Sequence, residues 1–329
     1  MALLLATREG LYLSNGATSP LGEPADFMAI ARAPADPGVY YAAATGGRVF
    51  QSRDGARSMA VVGAIGGFSE LSSLAVHPHE PDRLLAGMEP SALFRSEDGG
   101  RTWREDPAIR RMSEANGWSV PWSDAKGHVR TISIDPHDPR RIYLAIEVGG
   151  VVRTEDGGET WENVHGGIHD DVHSVAVNPR RGAVVYAATR HGFGRSEDYG
   201  RTWRGVPSGP EGFEGQGYAR PLAVNPERPE QLFTAAATTG PGGFHRPDVG
   251  SECGIFRSDD GGLTWRRLTN GIPARFRPYV DAIDIDPARP THVALADTEG
   301  HVFESQDAGE SWHQTAQTPP VRRLLIVPE

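Results

Sequence analysis

One eight-residue phrase returns along the chain at intervals of tens of residues. Ser96-Glu-Asp98-Gly-Gly100-Arg-Thr102-Trp103 recurs at Thr154–Trp161, Ser196–Trp203, Ser258–Trp265 and Ser305–Trp312. A worn copy without the Trp, Ser52-Arg-Asp54-Gly55, precedes them. Self-similarity at this period dictates a row of equivalent units, none able to bury its apolar face alone. Within the phrase, the Asp side chain can accept hydrogen bonds from backbone N–H groups ahead of it. The Gly supplies a left-handed backbone without steric cost. The closing Trp offers a large apolar face to a neighbouring unit. The phrase therefore predicts a hairpin turn with a built-in anchor, a staple of the fold rather than a chemical group.

The rest of each repeat fills in a four-stranded unit. Alternating apolar runs end in proline turns at Leu74-Ala-Val76-His-Pro78, Ile132-Ser-Ile134-Asp-Pro136, Val175-Ala-Val177-Asn-Pro179, Leu222-Ala-Val224-Asn-Pro226 and Ile283-Asp-Ile285-Asp-Pro287. Period 2 marks each as an innermost strand. A second apolar run follows, then a glycine hairpin, a third strand ending at the phrase and a fourth starting at its Trp. Inner strands are expected near Phe27, Leu71, Val129, Val172, Ala219 and Val280, with a seventh over Val321–Pro328. Leu3–Ser14 supplies second and third strands with no first. The predicted fold is all-β: one seven-bladed β-propeller of four-stranded antiparallel blades over residues 1–329. Its last blade is shared between 1–20 and 319–329, so that the C-terminal strand pairs with the N-terminal blade. Closure removes exposed sheet edges.

The pattern S/T-x-D-x-G-x-T-W resembles the Asp-box, or BNR, signature of sialidase-like β-propellers, over nearly the whole chain. The resemblance implies boxes on the face opposite the active site. It implies a grouping that includes glycosidases, sorting receptors and photosystem assembly factors. Sialidases use an arginine trio for a carboxylate, a Tyr–Glu nucleophile pair and an Asp acid. Arg130, Arg220 and Arg322, with Tyr218 and Tyr279 nearby, are similar in kind. Sialidases also have six blades and an Arg-Ile-Pro motif, whereas this chain has seven expected blades and only Arg32-Ala-Pro34. The resemblance thus points to a glycosidase-like hydrolase or lyase other than a sialidase.

Charge and composition narrow the partners. A net charge of −10 argues against nucleic acid, which needs clustered positive charge. The one cysteine, Cys253, excludes an internal disulfide framework and reads as a partly buried inert thiol. Met1–Ala6 lacks the basic start of a signal peptide, and no apolar run reaches transmembrane length. The expectation is a soluble, cytoplasmic protein with no membrane partner.

The repeats align with one another, and departures from their common pattern mark candidate functional residues. Six residues before each turn proline stand Met28, Ser72, Arg130, His173, Arg220, Asp281 and Arg322. Just ahead of them lie His128, Asp171, Tyr218 and Tyr279. Charged residues opening an apolar strand need a wet cavity or a partner, so a polar ring at one channel mouth is expected. Seven residues before each Ser or Thr of the phrase, the hairpins carry Thr7, Thr45, Glu89, Glu147, Thr189, Ser251 and Thr298. Two adjacent blades break the hydroxyl rule with Glu. Two insertions open on the same face: 106–127, with Trp118 and Trp122 expected as exposed sugar platforms, and 239–253, with His245.

Three functions fit. The first is a hydrolase or lyase acting on an anionic or carbohydrate-like small ligand. Glu89 and Glu147 serve as acid and base, assisted by His173 or His191. Arg130, Arg190, Arg220, Tyr218, Tyr279, Asp281, Trp118, Trp122 and His245 bind the substrate. The second is a non-catalytic propeller gripping a peptide or protein. The third is a metal-dependent enzyme holding a divalent ion through His128, His173, His191 and Glu147. No cofactor is otherwise implied.

Overall fold

The computed structural model describes residues 2–14, 18–68, 70–120, 127–207, 213–244, 248 and 250–328. Among these, the strands pair antiparallel into seven four-stranded sheets. Blades 1 to 7 begin with inner strands Phe27–Ala33, Glu70–Val76, Val129–Ile134, Val172–Val177, Tyr218–Val224, Val280–Ile285 and Val321–Val327. Each inner strand touches those of both neighbouring blades, and the ring closes between blades 7 and 1. Blade 7 is completed as the sequence requires: Val321–Val327 pairs with Ala2–Thr7, with Ala2 opposite Val327 and Leu4 opposite Leu325. Outer strands start one residue beyond the Trp of the phrase, as at Arg104, Glu162, Arg204, Arg266 and His313.

The phrase builds the same turn each time. In blade 2, Ser96 Oγ donates to Asp98 Oδ1 at 2.9 Å and accepts from the Gly100 N–H at 2.9 Å. Asp98 accepts from the Thr102 N–H at 2.9 Å and from its hydroxyl at 2.6 Å. These bonds, the Thr102 hydroxyl foremost, hold the Asp98 carboxyl down at about 2. Gly100 has φ 84°, a conformation that penalises any side chain. The indole of Trp103 donates to the Gly100 carbonyl at 2.9 Å, and Trp203, Trp265 and Trp312 repeat that bond. Trp161 departs from the set and donates to Asp106 Oδ2 at 3.1 Å.

Apolar side chains interlock between successive blades. One such core joins Tyr143, Val151 and Val164 of blade 3 to Val175, Val185 and Trp203 around blade 4. Cys253 is buried in another, and burial pushes its thiol up to about 12. The insertion after Asp106 is not an open loop: Pro107–Asn116 is an α-helix. Asp106 caps it by accepting from the Ala108 N–H at 3.1 Å, and Gly117 ends it at φ 62°. No helix among the described residues is long and apolar enough to cross a membrane.

Strand direction fixes which face carries what. Each third strand runs from the hairpin position of Glu89 or Glu147 to the repeated turn. The hairpins and the inner-strand starts therefore share one face, and the phrases lie on the other.

Candidate active site

Every inner strand slips register near its start. The ladders jump from Phe27 to Ala29, Leu71 to Ser73, Val129 to Thr131, Val172 to Ser174, Ala219 to Leu222 and Val280 to Ala282. In blade 7, Ala6 and Thr7 pair with Arg323 and Val321, which skips Arg322. The residues left out of the ladder are Met28, Ser72, Arg130, His173, Arg220 (with Pro221), Asp281 and Arg322, the positions the repeats align. A β-bulge re-aims the side chain it carries. Arg130, His173, Arg220 and Asp281 accordingly line a cavity of about 140 Å³ at the ring centre, joined by the ladder-paired Arg323.

The hairpin hydroxyls explain why Glu89 and Glu147 stand out. Thr7 Oγ1 donates to the Gly10 carbonyl at 2.8 Å and Thr189 Oγ1 to the Gly192 carbonyl at 3.1 Å, tying each hairpin to itself. Glu89 and Glu147 reach instead for one histidine. His128 Nδ1 lies 3.4 Å from Glu89 Oε2, and its Nε2 lies 2.9 Å from Glu147 Oε2. Arg130 approaches the same group, with Nε 3.4 Å from Glu147 Oε2 and a terminal nitrogen 3.1 Å from His128 Nε2.

A second cluster adjoins the first. His173 Nε2 is 3.2 Å from Asp171 Oδ1, and Arg190 is 3.7 Å from Asp171 Oδ2. The Tyr218 ring packs on the His173 ring at 4.5 Å between centroids. Across the cavity, Arg220 Nε is 3.5 Å from one oxygen of Asp281, and Arg323 is 3.9 Å from the other. Arg322 turns away into a paired contact with Asp26 at 2.8 and 2.9 Å, so the third ring arginine is Arg323 rather than Arg322.

The two glutamates are driven in opposite directions. Burial raises the Glu89 carboxyl, Glu70 and Glu147 add to it, and His128 opposes. Burial also pushes on Glu147, but Arg130 and His128 outweigh it and hold that carboxyl well below its usual range. Asp171 is likewise held low, His173 overcoming its burial. Asp281 is raised by burial despite Arg323 and Arg130.

The remaining expected residues fall outside this group in several ways. His191 sits exposed at its hairpin, its ring 4.5 Å from that of His169, and does not join the His128–Glu147 cluster. Trp118 is not an exposed platform: it is 5% exposed and packs with Ile109, Val129 and Ile146 beneath the insertion helix. Tyr279 is fully buried, its hydroxyl 3.1 Å from the Ala235 carbonyl oxygen and its ring stacked under Phe244. It supports Arg220, whose guanidinium lies 5.5 Å from the ring centre, instead of facing the cavity. Trp122 and His245 lie outside the described residues. The strand-start ring holds two carboxylates absent from the expected site, Asp171 and Glu70. Both stand two residues ahead of a bulge, as His128, Tyr218 and Tyr279 do, so the alignment of repeats carried the signal.

Comparison with known proteins places the architecture. No family model matches. A xyloglucanase from Paenibacillus sp is 26% identical over 206 residues, covering 51% of this chain and 19% of that protein. The chain thus spans about a fifth of that relative's length. The crystal structure of the GH74 xyloglucanase from Xanthomonas campestris superposes with a TM-score of 0.74 at 21% identity, over 96% of this chain and 52% of that one. YCF48 bound to D1 peptide superposes with a TM-score of 0.58 at 17% identity, over 95% of this chain and 84% of that one. These similarities establish the β-propeller fold.

Proposed function

We propose that the chain is a glycoside-hydrolase-type enzyme acting on a glycan at the channel mouth opposite the repeated turns. The observation that carries this reading is the pair Glu89 and Glu147, set on opposite edges of the His128 ring, with the first carboxyl raised and the second lowered. Two carboxyls pushed apart in this way divide the roles of acid and charged partner. Glu89, half-buried and raised, keeps its proton closer to neutrality and delivers it to the departing glycosidic oxygen. Glu147, held ionised by Arg130 and His128, stabilises the positive charge that builds on the sugar ring and steers the incoming water. Arg220 borders the cavity as a substrate contact, and Tyr218 packs behind it on the His173 ring. Similarity to xyloglucanases supports β-glucans, xyloglucan included, as first substrates to try.

The test is release of reducing ends from xyloglucan and related β-glucans by the purified protein. Glu89→Gln is expected to lower turnover by about 10²–10⁴-fold, the worth of a positioned proton donor, with an unchanged circular dichroism spectrum. The first-formed anomer, read by NMR, tells inversion from retention. Full turnover in Glu89→Gln would overturn the assignment.

The second reading, a binding propeller, is favoured by one observation. The match to YCF48 extends over most of that chain, whereas only half of the xyloglucanase structure is matched. Stoichiometric capture of a peptide without turnover, lost in Arg130→Ala and Arg220→Ala, would support it over the hydrolase.

A further inference from the structure

At the channel mouth Glu147 adjoins Asp171 and His173, two residues that the acid–base reading leaves unused. One ligand atom each from Glu147, Asp171 and His173 lies within 4.8 Å of the others, and all three residues are buried, 6%, 2% and 2% exposed. His173 Nδ1 is 2.6 Å from the Ala219 carbonyl oxygen, a contact only a protonated nitrogen makes. That contact leaves Nε2 as the ring nitrogen that faces Asp171 Oδ1, 3.2 Å away. Neither Asp171 oxygen nor His173 Nε2 has a well-directed hydrogen bond, though all three atoms are buried, and buried Glu147 Oε2 has only its charge contacts with His128 and Arg130. Buried polar atoms are nearly always satisfied. Buried ligand atoms that converge without hydrogen-bond partners form a set that a cation can satisfy.

We propose that Glu147, Asp171 and His173 bind one divalent first-row transition ion of the zinc or manganese class. One imidazole and two carboxylates, without thiolate, form a mixed nitrogen–oxygen set suited to these ions, and too few oxygens for calcium. Bonds of about 2.0–2.2 Å from a central ion span the 3.2 Å between His173 Nε2 and Asp171 Oδ1, and Glu147 closes on the ion by a small side-chain shift. Two carboxylates neutralise the ion, and the Nδ1–H bond to a backbone carbonyl is the outer contact that orients a ligating histidine. Arg130 beside Glu147 and Arg190 beside Asp171 add positive charge at the rim, which weakens binding relative to a purely acidic cage. His128 neighbours the site through Glu147, whereas His191 stands apart from it.

The ion site does not rest on the hydrolase reading, and its test uses binding. Protein stripped with chelator is titrated with Co²⁺, followed by visible absorption, and with Zn²⁺ by calorimetry. One equivalent is expected, with His173 as its nitrogen ligand. Asp171→Asn, which keeps shape, is expected to weaken binding at least 10-fold, and His191→Ala to leave it unchanged. Glu89→Gln is expected to bind Co²⁺ like the parent while losing turnover, which separates failure of the ion site from failure of the hydrolase. No binding by folded protein, or undiminished binding by Asp171→Asn, overturns the proposal.

Discussion

Arg130→Met isolates the electrostatics of the channel mouth. The guanidinium lies 3.4 Å from Glu147, and their side chains are only 15% and 9% exposed. The substitution keeps the aliphatic stem but leaves a buried carboxylate with one cationic partner fewer. Removing one member of a buried pair costs about 3–5 kcal/mol. At about 2.1 cal/mol/K of unfolding entropy per residue, that cost lowers Tm by roughly 4–7 °C in a chain of 329 residues. The sign of the pH dependence follows from Glu147. A carboxyl held below its ordinary value contributes stability that is full above the unfolded pKa, about 4.3, and is lost as pH falls through the folded value. The gap between Arg130→Met and the parent is therefore widest at neutral pH and closes on acidification. In a Glu147→Gln background the loss of Arg130 costs less, with a coupling of about 1–3 kcal/mol. Urea titrations at pH 7 and pH 4, in chelator, measure all four proteins. A gap below about 1 kcal/mol at pH 7, or one that widens in acid, would refute the reasoning.

Two more outcomes follow from the same geometry. Glu89 is raised, so its folded form holds a proton that the unfolded chain releases. Turnover and this group's stability contribution both decline as pH rises above the ordinary glutamate range, and Glu89→Gln removes the stability decline in a pH series of denaturation midpoints. Trp312 is 1% exposed between blades 5 and 6 and far from the mouth; Trp312→Ala costs about 3–5 kcal/mol in chemical denaturation, yet turnover per folded molecule is retained.

The fold was legible because each unit repeats three signals: the period-2 run, the proline turn and the Asp-Gly phrase. Even the split blade could be read, since a lone apolar run at one end matched a missing strand at the other. The site was legible only where a blade broke its own pattern. Glu89 and Glu147 stood out against a hydroxyl with a local job, and Arg130, His173 and Asp281 occupied a shared bulge. Side-chain direction was not encoded in that way. Arg322 and Arg323 are neighbours, and the partner Asp26 draws the bulged Arg322 away so that Arg323 enters the cavity. Trp118 read as a platform because a long insertion looked open, whereas capping by Asp106 and Gly117 folds it into a helix that buries the ring. Asp171 stands in the strand-start row, but its sequence position alone gives it no role, because its worth lies in a contact with His173 across the bulge.

The bulges have a consequence for how such a molecule can diversify. A residue omitted from the strand ladder has no pairing partner opposite it, so its identity is only loosely tied to the sheet. Methionine, serine, arginine, histidine and aspartate all occupy that socket here without disturbing the blades around them. Seven sockets arranged about one axis amount to a combinatorial panel, in which a new binding chemistry is written by exchanging side chains while the scaffold that presents them stays the same.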